Sequence, residues 1–179
     1  TRSGNFCLQN ADVVLVIGSR LNIRQTSYNW DSFGKNAWIV QVDVDAAELA
    51  KPGVQADLTV QADALAFIDT LRQLLVQSTL PNFSAWGAWC REIGTRYHAR
   101  QEHTQQPGAP LNPYVVVDRI FRQMRDDDIA VCGNASACIL PFQMAHLTAN
   151  QRLFSNSGSA SMGYDLPSAI GAAFAGAKD

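Results

Sequence analysis

Ser157-Gly-Ser-Ala-Ser-Met-Gly-Tyr-Asp-Leu-Pro-Ser-Ala-Ile-Gly-Ala172 is a small-residue loop that runs straight into a small-residue helix. Ahead of it, Arg152-Leu-Phe can form a short strand. Gly158 to Gly163 then offers backbone that bends sharply and lies against a ligand with no side chain between them. Asp165 can N-cap the helix, with Leu166 at N1 and Pro167 in the first turn, where a missing N–H costs little. Ala169, Gly171, Ala172, Ala173 and Ala175 leave almost no side-chain volume, so a neighbouring element can pack close. Met162 is the one large apolar residue of the loop.

Upstream, Asn112-Pro113 reads as an N-cap followed by Pro at N1. Val116, Ile120, Phe121 and Met124 give that helix its expected buried face, with Arg119, Arg122 and Arg125 on the solvated side. Asp128-Ile-Ala-Val-Cys132 is the next expected strand. Gly133-Asn-Ala-Ser-Ala137 is the loop at its carboxyl end, leading into a helix from about Cys138 to His146. A strand-to-helix turn of this kind exposes N–H groups that favour an anion. An ordinary turn, with Asn134 and Ser136 merely capping a helix, is the plain alternative.

The first half repeats the same rhythm. Ala11-Asp-Val-Val-Leu-Val-Ile-Gly18 is a continuous apolar run, which predicts a strand buried on both faces of a parallel sheet. Trp38-Ile-Val-Gln-Val-Asp-Val-Asp45 predicts a second strand, with Asp45 capping a short helix, and Asp57-Leu-Thr-Val-Gln61 a third. Ala64, Leu65, Ile68, Leu71 and Leu75 recur at helical spacing. Ligands in such sheets lie outside the carboxyl ends of the strands, which singles out Gly18, Arg20, Arg24, Asp43 and Asp45. No Gly-x-Gly-x-x-Gly fingerprint accompanies them.

Ser84 to Glu102 predicts one amphipathic helix, followed by the breaker cluster Thr104-Gln-Gln-Pro-Gly-Ala-Pro110. His98 and His103 have no carboxylate or Cys at ligand spacing and are read as part of a solvated helix face. The expected organisation is residues 1–78, a linker over 79–111, and a second domain over 112–179.

A net charge of −2 with no basic run draws the chain to neither nucleic acid nor an anionic membrane. Cys7, Cys90, Cys132 and Cys138 show no Cys-x-x-Cys spacing. With no signal peptide and no apolar stretch of about 20 residues, a reducing cytoplasm is expected. The chain opens on Thr-Arg-Ser-Gly and closes on Ala-Lys-Asp directly after a helix, which reads as an internal piece of a longer protein.

The stretch from Ser157 to Ala172 resembles the glycine-rich loop and helix of thiamine-diphosphate enzymes of the acetolactate synthase type, whose pattern is Gly-x-Gly-x-Met-Gly-x-x-Leu-Pro-x-Ala-Ile-Gly-Ala. Ala11 to Arg20 and Val42 to Leu49 resemble the middle domain of the same proteins. The resemblance implies an α/β fold with doubly wound parallel sheets: part of a Rossmann-like middle domain, then part of a thiamine-diphosphate-binding domain.

It implies cofactor contacts at Asn134, Ala135, Ser136, Gly158, Ser159, Ala160, Ser161 and Met162. Met162 would hold the two cofactor rings in a bent shape, and the Ala160 carbonyl would accept from the pyrimidine amino group. Relatives usually carry Gly where Ala160 stands, a change the carbonyl tolerates if φ there is negative. Where this chain has Ala135, Ser136 and Ala137, they usually carry a Gly followed by Gln or His.

The implied chemistry is decarboxylation of a 2-oxo acid and two-carbon transfer, with Mg²⁺ on the diphosphate. The proton-relay glutamate and the Mg²⁺ ligands are expected outside these 179 residues, so the piece alone is expected to be inactive. A homodimer or homotetramer is expected. FAD, held by some members and absent from many, is the less expected case. The competing reading is a non-enzymatic Rossmann-like nucleotide-binding module built on Gly18 to Arg24 and Asp45.

Overall fold

The computed structural model describes residues 1–176, which divide into two compact units, Arg2–Arg96 and the chain from Tyr97 onward. The first unit runs α1 (Arg2–Gln9), β1 (Val13–Ile17), α2 (Ile23–Thr26), a 3-10 turn at Trp30–Ser32, β2 (Trp38–Asp43), α3 (Ala46–Ala50), β3 (Leu58–Gln61), α4 (Ala64–Val76) and α5 (Ser84–Arg96). Its three strands pair in the order β1-β2-β3, all parallel, with Val13 opposite Trp38 and Val40 opposite Leu58. The mixed α/β architecture with parallel strands is the one the sequence predicts.

β2 is the central strand and is buried from Ile39 to Asp43. β1 departs from expectation: Val13 and Leu15 are exposed, and Val16 alone of the strand is buried. It lies at the edge of the sheet, and the face bearing Val14 and Val16 is the covered one, against Phe33, Ile39, Leu8, Leu21, Val54 and Ala56. An apolar run has no way of showing which of its faces finds a partner. Helix α4 forms as expected, but Leu65, Ile68 and Leu75 are exposed and the partly buried residues are Phe67 and Leu71.

The helix expected over 84–102 is two. α5 packs on α1 and ends at Arg96, and α6 (Ala99–Glu102) starts after His98, whose Nδ1 accepts from Arg100 N at 3.2 Å. A cap for the second segment competes with helix continuation, because the capping residue itself must leave helical φ/ψ.

The second unit continues with α7 (Pro113–Gln123), β4 (Ile129–Cys132), α8 (Ser136–Met144), β5 (Arg152–Ser155) and α9 (Asp165–Gly176). Asn112 caps α7 as the sequence suggests, its Oδ1 accepting from Tyr114 N at 3.0 Å, with Pro113 at the helix start. Of the expected α7 face only Phe121 is buried, while Val116 and Ile120 are exposed. β4 and β5 are parallel, with Ile129 opposite Arg152 and Cys132 opposite Ser155. Cys132, Cys138, Leu140 and Met144 are buried with Phe121.

Neither histidine of the segment before α7 is simply solvated. His98 is a cap, and His103 stacks on Tyr114 with ring centroids 3.5 Å apart and 6° between planes. Asp118 takes hydrogen bonds from Arg100 and Arg122, tying α6 to α7. Burial pushes the Asp118 carboxyl up, but the bonds from Arg122 and Arg100 outweigh it and leave the group below the usual carboxylate range.

Candidate functional site

Because β4 and β5 run parallel and end together at Cys132 and Ser155, the loops that follow them lie side by side. One carries Asn134, Ala135 and Ser136, and the other carries Gly158, Ser159, Ala160, Ser161 and Met162. The two are joined by one side chain. Asn134 Nδ2 donates to the Ala160 carbonyl at 2.6 Å, and Asn134 Oδ1 accepts from Ala135 N at 2.6 Å.

Both alanines are left-handed, with φ of 51° at Ala135 and 51° at Ala160. The condition of a negative φ at Ala160 is therefore not met. Ala160 N donates to Asn156 O at 2.8 Å, closing a turn, and Asn134 holds the carbonyl on the far side of the same residue. A left-handed alanine costs roughly 1–2 kcal/mol relative to the right-handed region, which explains why glycine suits this position in the resembling loops.

Asn156 organises the rest of the loop: its Oδ1 accepts from Ser159 N at 3.4 Å and its Nδ2 donates to Ser161 Oγ at 3.2 Å. At the head of the loop, Ser155 Oγ lies 3.1 Å from Cys138 Sγ and 3.3 Å from Ser157 Oγ. Gly158 has open space where a side chain would stand. Met162 is 89% exposed, so it is no filler of this unit's core.

Helix α8 begins at Ser136, two residues before the sequence reading puts it, and ends at Met144. Its N-cap position is Ala135, which has no side chain able to bond the first-turn N–H groups. Helix α9 is also displaced from expectation. Its first bond runs from Ser168 N to Tyr164 O at 3.1 Å, so Tyr164 holds the cap position and Asp165 is the first helical residue. The Asp165 carboxylate lies against Gly133, where an added Cβ would come within 2.8 Å of Oδ2. Carbon in place of hydrogen at Gly133 would force the Asp165 side chain to turn aside.

Neither the Gly133–Asp165 approach nor the bridge from Asn134 to Ala160 is legible in the sequence. A Gly-Asn pair at a strand end marks a turn, but nothing in it says which distant carbonyl the amide reaches.

The carboxyl ends of the first unit's strands form a crevice of about 480 Å³, lined by Gly18, Arg20, Asp43, Asp45, Glu48 and Asp63 among others. Asp45 Oδ1 accepts from Ala47 N at 2.8 Å and Asp63 Oδ1 from Leu65 N at 2.9 Å, so both carboxylates cap the helices that follow. Arg20 Nε donates to Glu48 Oε1 at 2.7 Å and Lys51 Nζ to Glu48 Oε2 at 2.6 Å. Hydrogen bonds from Lys51 and then Arg20 hold the Glu48 carboxyl below the usual range. Arg24, on α2, is not among the lining residues. No group of three or more His, Cys, Asp or Glu among the described residues could hold a metal ion.

Parallel strands followed by loops and helices at their carboxyl ends define a class that sequence comparison makes specific: residues 1–74 match the thiamine pyrophosphate enzyme central domain. Along its length the chain is related to the acetolactate synthase type of these enzymes. It is 25% identical to the acetolactate synthase isozyme 2 large subunit of Escherichia coli, with all of this chain and 31% of that protein covered. It is 28% identical to the acetolactate synthase large subunit of Corynebacterium glutamicum, covering all of this chain and 28% of that protein. With the Escherichia coli isozyme 1 large subunit the identity is 30%, covering 97% of this chain and 30% of that protein. The chain thus spans less than a third of the length of these relatives.

Proposed function

We propose that the chain is part of an enzyme that uses thiamine diphosphate and Mg²⁺ to decarboxylate a 2-oxo acid and transfer the two-carbon remainder. The observation that carries this reading is the uncapped N-terminus of α8 lying beside the loop of Ala160. An anionic diphosphate suits unspent helix N–H groups, and a flat heteroaromatic ring suits an exposed methionine in the neighbouring loop. The residues present therefore fit the cofactor.

Ser136 and the first-turn N–H groups of α8 are placed to hold the diphosphate end, with Asn134 beside them, its amide engaged by Ala160 and Ala135. The backbone of Gly158 to Ser161 and the Met162 side chain are placed to receive the rings, with the Ala160 carbonyl as acceptor. Bound there, the cofactor supplies carbanion stabilisation for loss of CO₂ from a 2-oxo acid. The protein's part is orientation. Met162 restricts the conformation of the bound rings, and the loop excludes water from one side of them. Mg²⁺ is proposed to meet the diphosphate through ligands other than the residues described here.

The test is titration of the full-length protein with thiamine diphosphate and Mg²⁺, followed by turnover of pyruvate. Met162→Ala should lower kcat more than it weakens cofactor binding, since the residue shapes the reactive conformer and does not hold phosphate. Unchanged kcat would remove Met162 from the site. The 179-residue chain by itself is expected to bind without turnover, and pyruvate consumption by it would overturn that division of labour.

A homodimer or homotetramer is proposed on the exposed stripe of Leu166, Ile170 and Phe174 along α9, which a second copy can cover. Light scattering of a fully active monomer would reject it. Four free cysteines suit a reducing cytoplasm, and no helix among the described residues is long and apolar enough to cross a membrane. A flavin is not part of the proposal. The first unit's crevice supports the nucleotide-module reading less well, because its helix N-termini are occupied by Asp45 and Asp63 and Arg20 is paired with Glu48.

A further inference from the structure

We propose that Asn134 is a positioning residue that locks both loops of the candidate site in their left-handed conformation, acting on the cofactor through Ala160 and Ala135. The inference rests on the thiamine-diphosphate reading for its consequence, though the lock itself does not depend on it. A single amide engages two strained residues at once: Oδ1 holds the N–H of Ala135 and Nδ2 holds the carbonyl of Ala160, each at 2.6 Å, and both alanines have φ of 51°.

Alanine does not occupy that region unaided, because its Cβ crowds the following carbonyl oxygen. Something outside the residue must outweigh the cost, and these two hydrogen bonds are placed to do so. Strain of this kind persists only where the surroundings over-determine it.

The consequence is directional. With Ala160 left-handed its carbonyl points at Asn134. One of its two lone pairs is taken by the amide, and the other remains to accept from a ligand. If Ala160 relaxed to negative φ the carbonyl would swing away, and the acceptor would leave the mouth shared by the two loops. Asn134 also aims the N-terminus of α8, since Ala135 is the residue at its cap. One side chain thereby couples the diphosphate end of the site to the ring end.

The experiment is a double-mutant cycle in the full-length protein, using Asn134→Ala and Ala160→Gly. It is read by the dissociation constant for thiamine diphosphate with Mg²⁺ and, independently, by the Tm of the cofactor-free protein. Asn134→Ala alone should weaken cofactor binding about tenfold and lower Tm by several degrees. In the Ala160→Gly background, where left-handed φ carries no Cβ penalty, the same change should cost about threefold or less and a smaller Tm shift. Asn134→Asp keeps the acceptor for Ala135 N but sets a carboxylate against the Ala160 carbonyl, so it should match or exceed the loss in Asn134→Ala.

Equal losses in both backgrounds would overturn the lock and leave Asn134 as a direct ligand or a simple cap. A neutral Asn134→Asp would overturn it as well. If wild-type protein binds no thiamine diphosphate, the proposed function fails while the Tm cycle still decides the lock. If Asn134→Ala does not fold, Asn134→Asp with and without Ala160→Gly runs the same cycle.

Discussion

The two units solve the same problem, a helix beginning just after a parallel strand, in opposite ways. In the first, α3 and α4 are capped by the carboxylates of Asp45 and Asp63, which bond first-turn N–H groups. In the second, α8 starts behind Ala135, which has no cap to offer. A carboxylate at the N-cap satisfies the orphan N–H groups and cancels the positive end of the helix, so the turn has nothing left for an anionic ligand. An alanine there leaves both. Stability has been favoured in one unit and availability in the other, and the cofactor site is accordingly proposed in the second.

The strand-end glycines differ in the same sense. Gly18, after β1, has φ of 58° and open space around its missing side chain, so it serves a turn. Gly133, after β4, is needed for room, since a Cβ would meet Asp165 Oδ2 at 2.8 Å. Gly133→Ala should destabilise the second unit by about 1–2 kcal/mol, since the Asp165 side chain must turn aside, and Gly18→Ala should cost the first unit about 1 kcal/mol. Urea denaturation of the two variants checks both. Replacing Asp165 with Ser should recover most of the loss in Gly133→Ala and none of that in Gly18→Ala.

Converting the open turn into a closed one should abolish the distinction. Ala135→Asp places a carboxylate at the start of α8, at φ 51° and ψ −131°, outside the left-handed helical region that Asp visits readily, so its Tm is measured alongside. It should weaken thiamine diphosphate binding about tenfold, or roughly 1.4 kcal/mol, by self-capping and repulsion. Calorimetric titration measures it, and unchanged affinity would mean that the diphosphate does not use α8. The reciprocal change, Asp63→Ala, should leave cofactor affinity alone while costing the first unit about 1 kcal/mol of stability.

The smallest effect separates the units by pH. The folded-state Asp118 carboxyl lies below its ordinary value, because the bonds from Arg122 and Arg100 outweigh burial. Its contribution is therefore complete above the unfolded carboxylate range, about pH 4, and disappears as pH falls through the lower folded value. Partial exposure of both arginines limits it to roughly 0.5–1 kcal/mol. Asp118→Asn should remove that increment at neutral pH and flatten the acid limb of a Tm-against-pH curve for the second unit. Identical acid limbs in wild type and variant would assign the group no role.

What could be read in advance was what local chemistry dictates. Asn112-Pro113 marks a helix start without knowledge of anything distant, and so does Asp45 before Ala46. The strands at Trp38, Asp57 and Asp128 declared themselves by apolar runs between turn residues. Faces and ends were less legible. Leu65, Ile68 and Leu75 form a true helical stripe, yet Phe67 and Leu71 are the residues of α4 that are partly buried. His98 cut one expected helix into two through a bond to its own backbone neighbour, a local signal outweighed by the amphipathic pattern around it.

The candidate site divides in the same manner. Its residues were named from the sequence alone, by the order of Gly, Ser, Met and Leu-Pro around Met162 and by the turn after Cys132. Their conformation was not. A left-handed alanine is disfavoured by its own Cβ, so nothing local in Ala135 or Ala160 announces it. It arises only when parallel pairing of β4 with β5 brings Asn134 to a carbonyl 26 positions away. Sequence determined which groups this protein has available at the ends of its strands. Tertiary structure decided which way they point, because a hydrogen bond between two loops can hold a backbone where neither loop would place it.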